Sequence, residues 1–115
     1  MIIITIEMDV PTNKIKELLQ TLLAITERIK KETGCIGCEI LKVLGDENRY
    51  RLIGKWKEEE DFSNHLQSEE SRVLLGAMSL LQNQPEIRLD VVYSSKGLEA
   101  LHKASSELKR SGARK

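Results

Sequence analysis

Aromatic residues are nearly missing from this chain: one Trp, one Phe and two Tyr stand among 115 residues. Any site for a flat ring must draw on that small set. Charge of one sign is also missing, since 18 Lys and Arg balance 18 Asp and Glu. A neutral chain offers no electrostatic footprint for nucleic acid or for an acidic membrane. Its weak colloidal repulsion favours self-association. Long apolar runs are lacking too. The opening Met1-Ile2-Ile3-Ile4-Thr5 is too short for a signal peptide, and no run nears the ~20 residues of a membrane span. The expectation is a soluble cytoplasmic protein of one domain, with no membrane or nucleic-acid partner.

Cysteine is limited to Cys35 and Cys38. A redox pair of this spacing sits at a helix N-terminus, which lowers the thiol pKa; this pair instead follows a helix and opens a strand. Zinc needs four ligands and no second pair exists. Residues three apart on a strand point to opposite faces, so two divergent, reduced thiols are expected. There is no glycine-rich phosphate loop, no Gly-x-Ser-x-Gly and no Ser/His/Asp grouping. Two His residues are too few for a metal site, and His102, with no Cys or carboxylate near it in sequence, is assigned no role.

Periodicity carries most of what is present. Residues 2–8 alternate, with Ile2, Ile4, Ile6 and Met8 on one face and Ile3, Thr5 and Glu7 on the other. Pro11 breaks the chain. Residues 14–33 then turn helical, with Ile15, Leu18, Leu19, Leu22, Ile25 and Ile29 in one stripe and Gly34 as C-cap. Residues 35–44 read as a second strand, in which Ile36, Cys38 and Ile40 share a face. Turn residues Gly45-Asp46-Glu47-Asn48 lead into a third strand, where Tyr50, Leu52, Gly54 and Trp56 share a face. Residues 58–83 are helical, breaking near Ser68, which caps a second segment through Val73, Leu74, Ala77, Met78 and Leu81. Pro85 ends it, and residues 86–94 alternate again, with Ile87, Leu89, Val91 and Tyr93 facing one way.

The order strand, helix, strand, strand, helix, strand predicts an α+β, ferredoxin-like βαββαβ fold. Its four-stranded antiparallel sheet lays the all-apolar strand face under the helices. The other face mixes Ile3, Leu41, Val43, Ile53 and Val92 with Glu7, Glu39, Arg51, Lys55, Arg88 and Asp90. Such a face is either solvated or packed on a twin, and a homodimer through it is the preferred reading. Residues 1–94 form the domain. Residues 95–115 form an amphipathic helix with a thin stripe of Leu98, Leu101, Ser105 and Leu108, fraying into a flexible tail from Ser111. Six basic residues against two acidic ones make this segment a polybasic contact arm or a helix docking on a partner subunit; scattered charges favour the second.

The most informative stretch is 55–68, which holds the only Trp, the only Phe and one His. Trp56 ends a strand, Glu58–Asp61 form an acidic first helical turn, and Phe62, His65 and Leu66 lie along one side of that helix. His65 is the best base available, since imidazole as a class titrates near neutrality. Trp56, Tyr50, Phe62, Leu75 and Met78 form the candidate lining of a flat apolar pocket. Against this stand plainer roles: His65 bonded to a backbone carbonyl or to Ser68, Trp56 in the core, Tyr50 as a cross-strand packing residue.

With Pro11 before the first helix, Glu32-Thr33-Gly34-Cys35 leading into the second strand, Trp56 closing the third and Asp61-Phe62-x-x-His65-Leu66-x-Ser68 after it, residues 1–94 resemble the antibiotic biosynthesis monooxygenase family. The resemblance implies a dimeric α/β-barrel with an aromatic substrate held between sheet and helices. Some members oxidise phenols or hydroquinones with dioxygen and neither metal nor flavin, which implies no cofactor. A branch degrades haem. Laid on this chain, that branch's essential Asn falls at or beside Ile6, its Trp on His65 and its iron-ligating His on Leu75, so haem degradation is disfavoured. Two readings follow: a cofactor-independent monooxygenase of a small quinol or phenol with His65 as base, or a non-catalytic, ligand-binding dimer on the same scaffold. Isomerase or decomposition chemistry carries less weight.

Overall fold

The structure is a computed structural model and describes residues 1–112. The four strands are β1 (Ile2–Asp9), β2 (Cys35–Lys42), β3 (Arg49–Trp56) and β4 (Glu86–Val91). The helices are α1 (Ile15–Ile29), α2 (Glu59–Leu66), α3 (Glu69–Met78) and α4 (Leu98–Gly112). A 3-10 turn, Thr12–Lys14, leads from Pro11 into α1. The sheet is antiparallel in the order β2-β3-β1-β4. This is the ferredoxin-like α+β arrangement that the alternating periods predict.

Registry follows strand parity. Ile2, Ile4, Ile6 and Met8 lie opposite Trp56, Gly54, Leu52 and Tyr50. These residues face the helices, and all but the half-buried Ile4 are buried. Leu18, Leu22, Ile25 and Ile29 of α1 close the core from above, against β2 and α3. Burying one such side chain contributes roughly 1.5–3 kcal/mol. At one end of the sheet, Asn48 ties the β2–β3 turn to the end of β1. Its Nδ2 donates to the Val10 carbonyl at 2.8 Å, and Val10 N–H donates to the Asn48 carbonyl at 2.8 Å.

Four details depart from the linear reading. First, α1 stops at Ile29 rather than at residue 33. The chain continues through 30–34 in turns, with Glu32 N–H donating to the Ile29 carbonyl, and Gly34 takes φ +80°. Second, β2 has a bulge: Cys35 pairs with Trp56, and Gly37 with Lys55. The extra residue turns Ile36 outward and sets Cys35 and Cys38 on the same, helix-facing side, so the thiols do not diverge. Third, the helical segment after Ser68 ends at Met78, and Val73 is exposed rather than core. Fourth, β4 is an edge strand that the helices do not roof: Ile87, Leu89 and Val91 share the helix-side face with Ile6, Ile4 and Ile2, yet stay exposed.

α4 runs to Gly112, so Ser111 is still helical. The rest of the expected flexible tail, residues 113–115, lies outside the described residues. Among the described residues, no helix is long and apolar enough to cross a membrane.

Candidate functional site

The candidate site begins at Gly34. Its positive φ suits a residue without Cβ, and a Cβ there would fall 2.0 Å from Cγ of Asp61. The Gly34 carbonyl accepts from Lys57 N–H at 2.8 Å. The turn after α1 is thereby seated against the start of α2. Asp61 and Glu58 form a reciprocal capping box there, which fixes the first turn of α2.

That seating places residue 32 beside residue 65. His65 is buried, and its Nδ1 lies 3.0 and 3.2 Å from the two carboxylate oxygens of Glu32. A carboxylate only accepts, so Nδ1 carries the hydrogen, and in the neutral form of the ring Nε2 is the acceptor. The ring stacks on Trp56, with centroids 4.6 Å apart and planes at 28°. Phe62 stands 6.4 Å from Trp56 and 6.2 Å from His65. Three rings and one carboxylate thus fix one another.

A cavity of about 240 Å³ opens beside this cluster, between sheet and helices. Cys38, Leu52, Gly54 and Trp56 form its floor on the sheet. Phe62, His65, Ser71 and Leu74 line the helix side. Its rim carries the exposed side chains of Leu66, Leu75 and Ile87. Gly54 keeps the floor low, since a Cβ there would meet Ile4 Cγ2 at 3.2 Å. His65, Ser71, the Cys38 thiol and the Trp56 indole are the only side-chain polar groups in a lining that is otherwise aliphatic or aromatic. Burial pushes the Cys38 thiol up to about 12, with the neighbouring Cys35 adding to the shift, so it presents an S–H and not a thiolate. Burial also raises Cys35, whose Sγ donates to the Gly37 carbonyl at 3.5 Å.

A larger groove of about 310 Å³ runs between α1 and α3. It has no His, Cys or aromatic side chain in its lining, so the chemistry points to the smaller cavity.

The model of the antibiotic biosynthesis monooxygenase family matches residues 1–75. The chain belongs to the antibiotic biosynthesis monooxygenase family. Solved structures agree on the fold. A conserved protein from Methanosarcina mazei Go1 is 21% identical, with a TM-score of 0.72 over 77% of this chain and 89% of that one. A Deinococcus radiodurans protein, given provisionally as an antibiotic biosynthesis monooxygenase, is 16% identical with a TM-score of 0.78, over 85% and 98%. A Pseudomonas aeruginosa protein is 20% identical with a TM-score of 0.65, over 83% and 94%. At these identities the likeness carries the fold alone. No curated protein matches the chain in sequence.

Within this family member, four of the six candidate residues meet at one cavity: Trp56, Phe62, His65 and Leu75. Tyr50 and Met78 do not line it. Tyr50 shares a face of β3 with Trp56 but precedes it by six residues, or about 20 Å of strand; it is buried opposite Met8. Met78 is buried in the core, three residues beyond the rim residue Leu75. The His65 side chain bonds Glu32, not Ser68. It is the His65 backbone carbonyl that accepts from the Ser68 hydroxyl, at 2.6 Å. Glu32 is the residue that linear reasoning missed. It was visible in the Glu32-Thr33-Gly34 turn, but nothing in linear spacing connects it to His65.

Proposed function

We propose that this protein is a cofactor-independent monooxygenase of a small quinol or phenol-like substrate, with His65 as its base. The observation that carries the reading is the His65 imidazole, stacked on Trp56 and held at Nδ1 by Glu32, in the wall of an otherwise apolar cavity. An engineered cavity of ~150 Å³ takes up benzene, so 240 Å³ suits a molecule of one or two rings.

The chemistry follows from the groups present. Nε2 of His65 takes the phenolic proton, and Glu32 supports the resulting imidazolium through Nδ1. The ring anion lies against Trp56 and Phe62 and passes an electron to dioxygen. The aliphatic lining excludes water from the reduced oxygen species. For a simple phenol the balance is phenol plus O₂ to quinone plus water. One oxygen atom enters the ring, the other leaves as water, and the substrate supplies all the electrons. No external reductant is required.

The same reading includes a homodimer through the face of the sheet away from the helices. Dimers are general in the family. On that face Glu7 accepts from Arg51 Nε at 2.9 Å, with a second contact from Arg51 Nη2, and lies 3.4 Å from Arg49. The half-buried Ile53 follows Arg51 on the same face, with the half-buried Ile3 further along β1 beside Lys55.

Oxygen uptake with a panel of phenols and hydroquinones of one or two rings tests the proposal. Wild type is expected to consume oxygen with at least one of them. His65→Ala is expected to slow it by roughly 10²–10⁴-fold, the range for a positioned base. Glu32→Gln is expected to slow it less, because the ring stays stacked. No uptake with any member overturns the enzyme reading. It favours the second reading, a ligand-binding dimer, in which the buried His65–Glu32 pair serves as core structure.

A further inference from the structure

The helix-facing side of β4 and the mouth of the Trp56–His65 cavity are both uncovered in a single chain. Ile87, Leu89 and Val91 are 55, 49 and 39% exposed, on the side of the sheet where the other strands are roofed. α4 has the complementary defect. Leu98, Leu101 and Leu108 are 66, 65 and 68% exposed, and none of residues 98–108 is buried. We infer that α4 of a second copy lies along β4 and closes the mouth of the cavity, with the exchange returned by the first copy.

Dimensions fit. From Leu98 to Leu108 a helix rises about 15 Å, and from Ile87 to Val91 a strand spans about 13 Å. Three leucines thus match three aliphatic residues over one length. An antiparallel approach also fits by charge. Glu58, Glu59 and Glu60 share a surface cleft with Val91 and Val92. The arriving helix brings Lys96 and its positive N-terminal end to these carboxylates.

The occupant is another copy rather than the chain's own helix. The two apolar stripes are separated by few residues, because Val92 still pairs with Met1 through both N–H and carbonyl. A linker of residues 93–97 reaches about 17 Å, enough to fold back. Even so, α4 stands off its own sheet. β4 is moreover the sheet edge, so a helix arriving from a copy stacked on the far face has one strand to pass. The mouth adds Leu66 and Leu75 to the contact. At roughly 60–100 Å² per aliphatic side chain, a mutual exchange buries on the order of 1,000 Å², the threshold for a specific interface. It also provides the cavity with a wall that one chain lacks. This geometry does not depend on the oxygenase reading.

Single-cysteine exchange tests it. Leu89→Cys and Leu101→Cys are made in separate full-length chains; both sites are exposed, so the core is left intact. Co-refolding the two variants under mild oxidation is expected to give a covalent dimer of mixed composition, absent when either is oxidised alone. No mixed dimer overturns the exchange. A chain carrying both substitutions that closes into a cross-linked monomer also overturns it, by placing the helix on its own strand. As a second readout, Leu101→Asp is expected to raise binding of an apolar fluorescent dye several-fold; unchanged binding counts against the proposal.

Discussion

At the scale of single residues, the site depends on groups that constrain one another. Trp56 offers a face, Glu32 offers an acceptor, and His65 has one orientation that satisfies both. Cys38 shows the cost of the apolar floor, which disfavours the thiolate. The consequence for stability has a definite sign. In the unfolded chain a thiol loses its proton near pH ~8.5, whereas in the fold Cys38 keeps it up to about 12. The folded state binds the proton more tightly, so this contribution is complete below ~8.5 and is lost as pH rises towards 12. The urea midpoint is therefore expected to fall between pH 8 and pH 10.5, and Cys38→Ala is expected to flatten that fall. An equal fall in both proteins sinks the assignment.

At the scale of elements, the α1–β2 turn positions the chemistry. Glu32 reaches His65 because the chain leaves α1 early, turns at Gly34 and rests that glycine on Asp61. Gly34→Ala forces a Cβ into a left-handed backbone, which costs about 1–2 kcal/mol, and drives it into Asp61. The expected result is a loss of at least that much in urea unfolding. If activity is found, its loss should exceed what the unfolded fraction explains, because Glu32 shifts. Stability within a few tenths of a kcal/mol of wild type contradicts this role. The bulge in β2 works similarly: one extra residue moves Cys35 to the core side and leaves Ile36 in solvent.

At the scale of the whole molecule, one chain leaves apolar surface unused on both sides of its sheet. The proposed dimer uses the far face, and the proposed helix exchange uses the near one. Light scattering at micromolar concentration is expected to give twice the 13.1 kDa chain mass. Ile53→Asp, in the middle of the far face, is expected to shift the population towards monomer by several-fold in dissociation constant. A monomeric wild type overturns the far-face interface.

Much of the fold was legible along the chain. Alternation at Ile2–Met8, the stripe from Leu18 to Ile29, the Ser68 cap and the Asp61–Ser68 segment specify strands, helices and their order, because secondary structure is written in local periods and caps. They also placed Trp56, Phe62 and His65 near one another, since a strand end and the following helix turn are adjacent in space as in sequence. The rest required the tertiary fold. Glu32 meets His65 across 33 positions, Tyr50 is carried away from the cavity by the length of β3, and β4 is left unroofed because the helices fall short of the sheet edge. Local periods report which way a side chain faces; only packing decides what it meets.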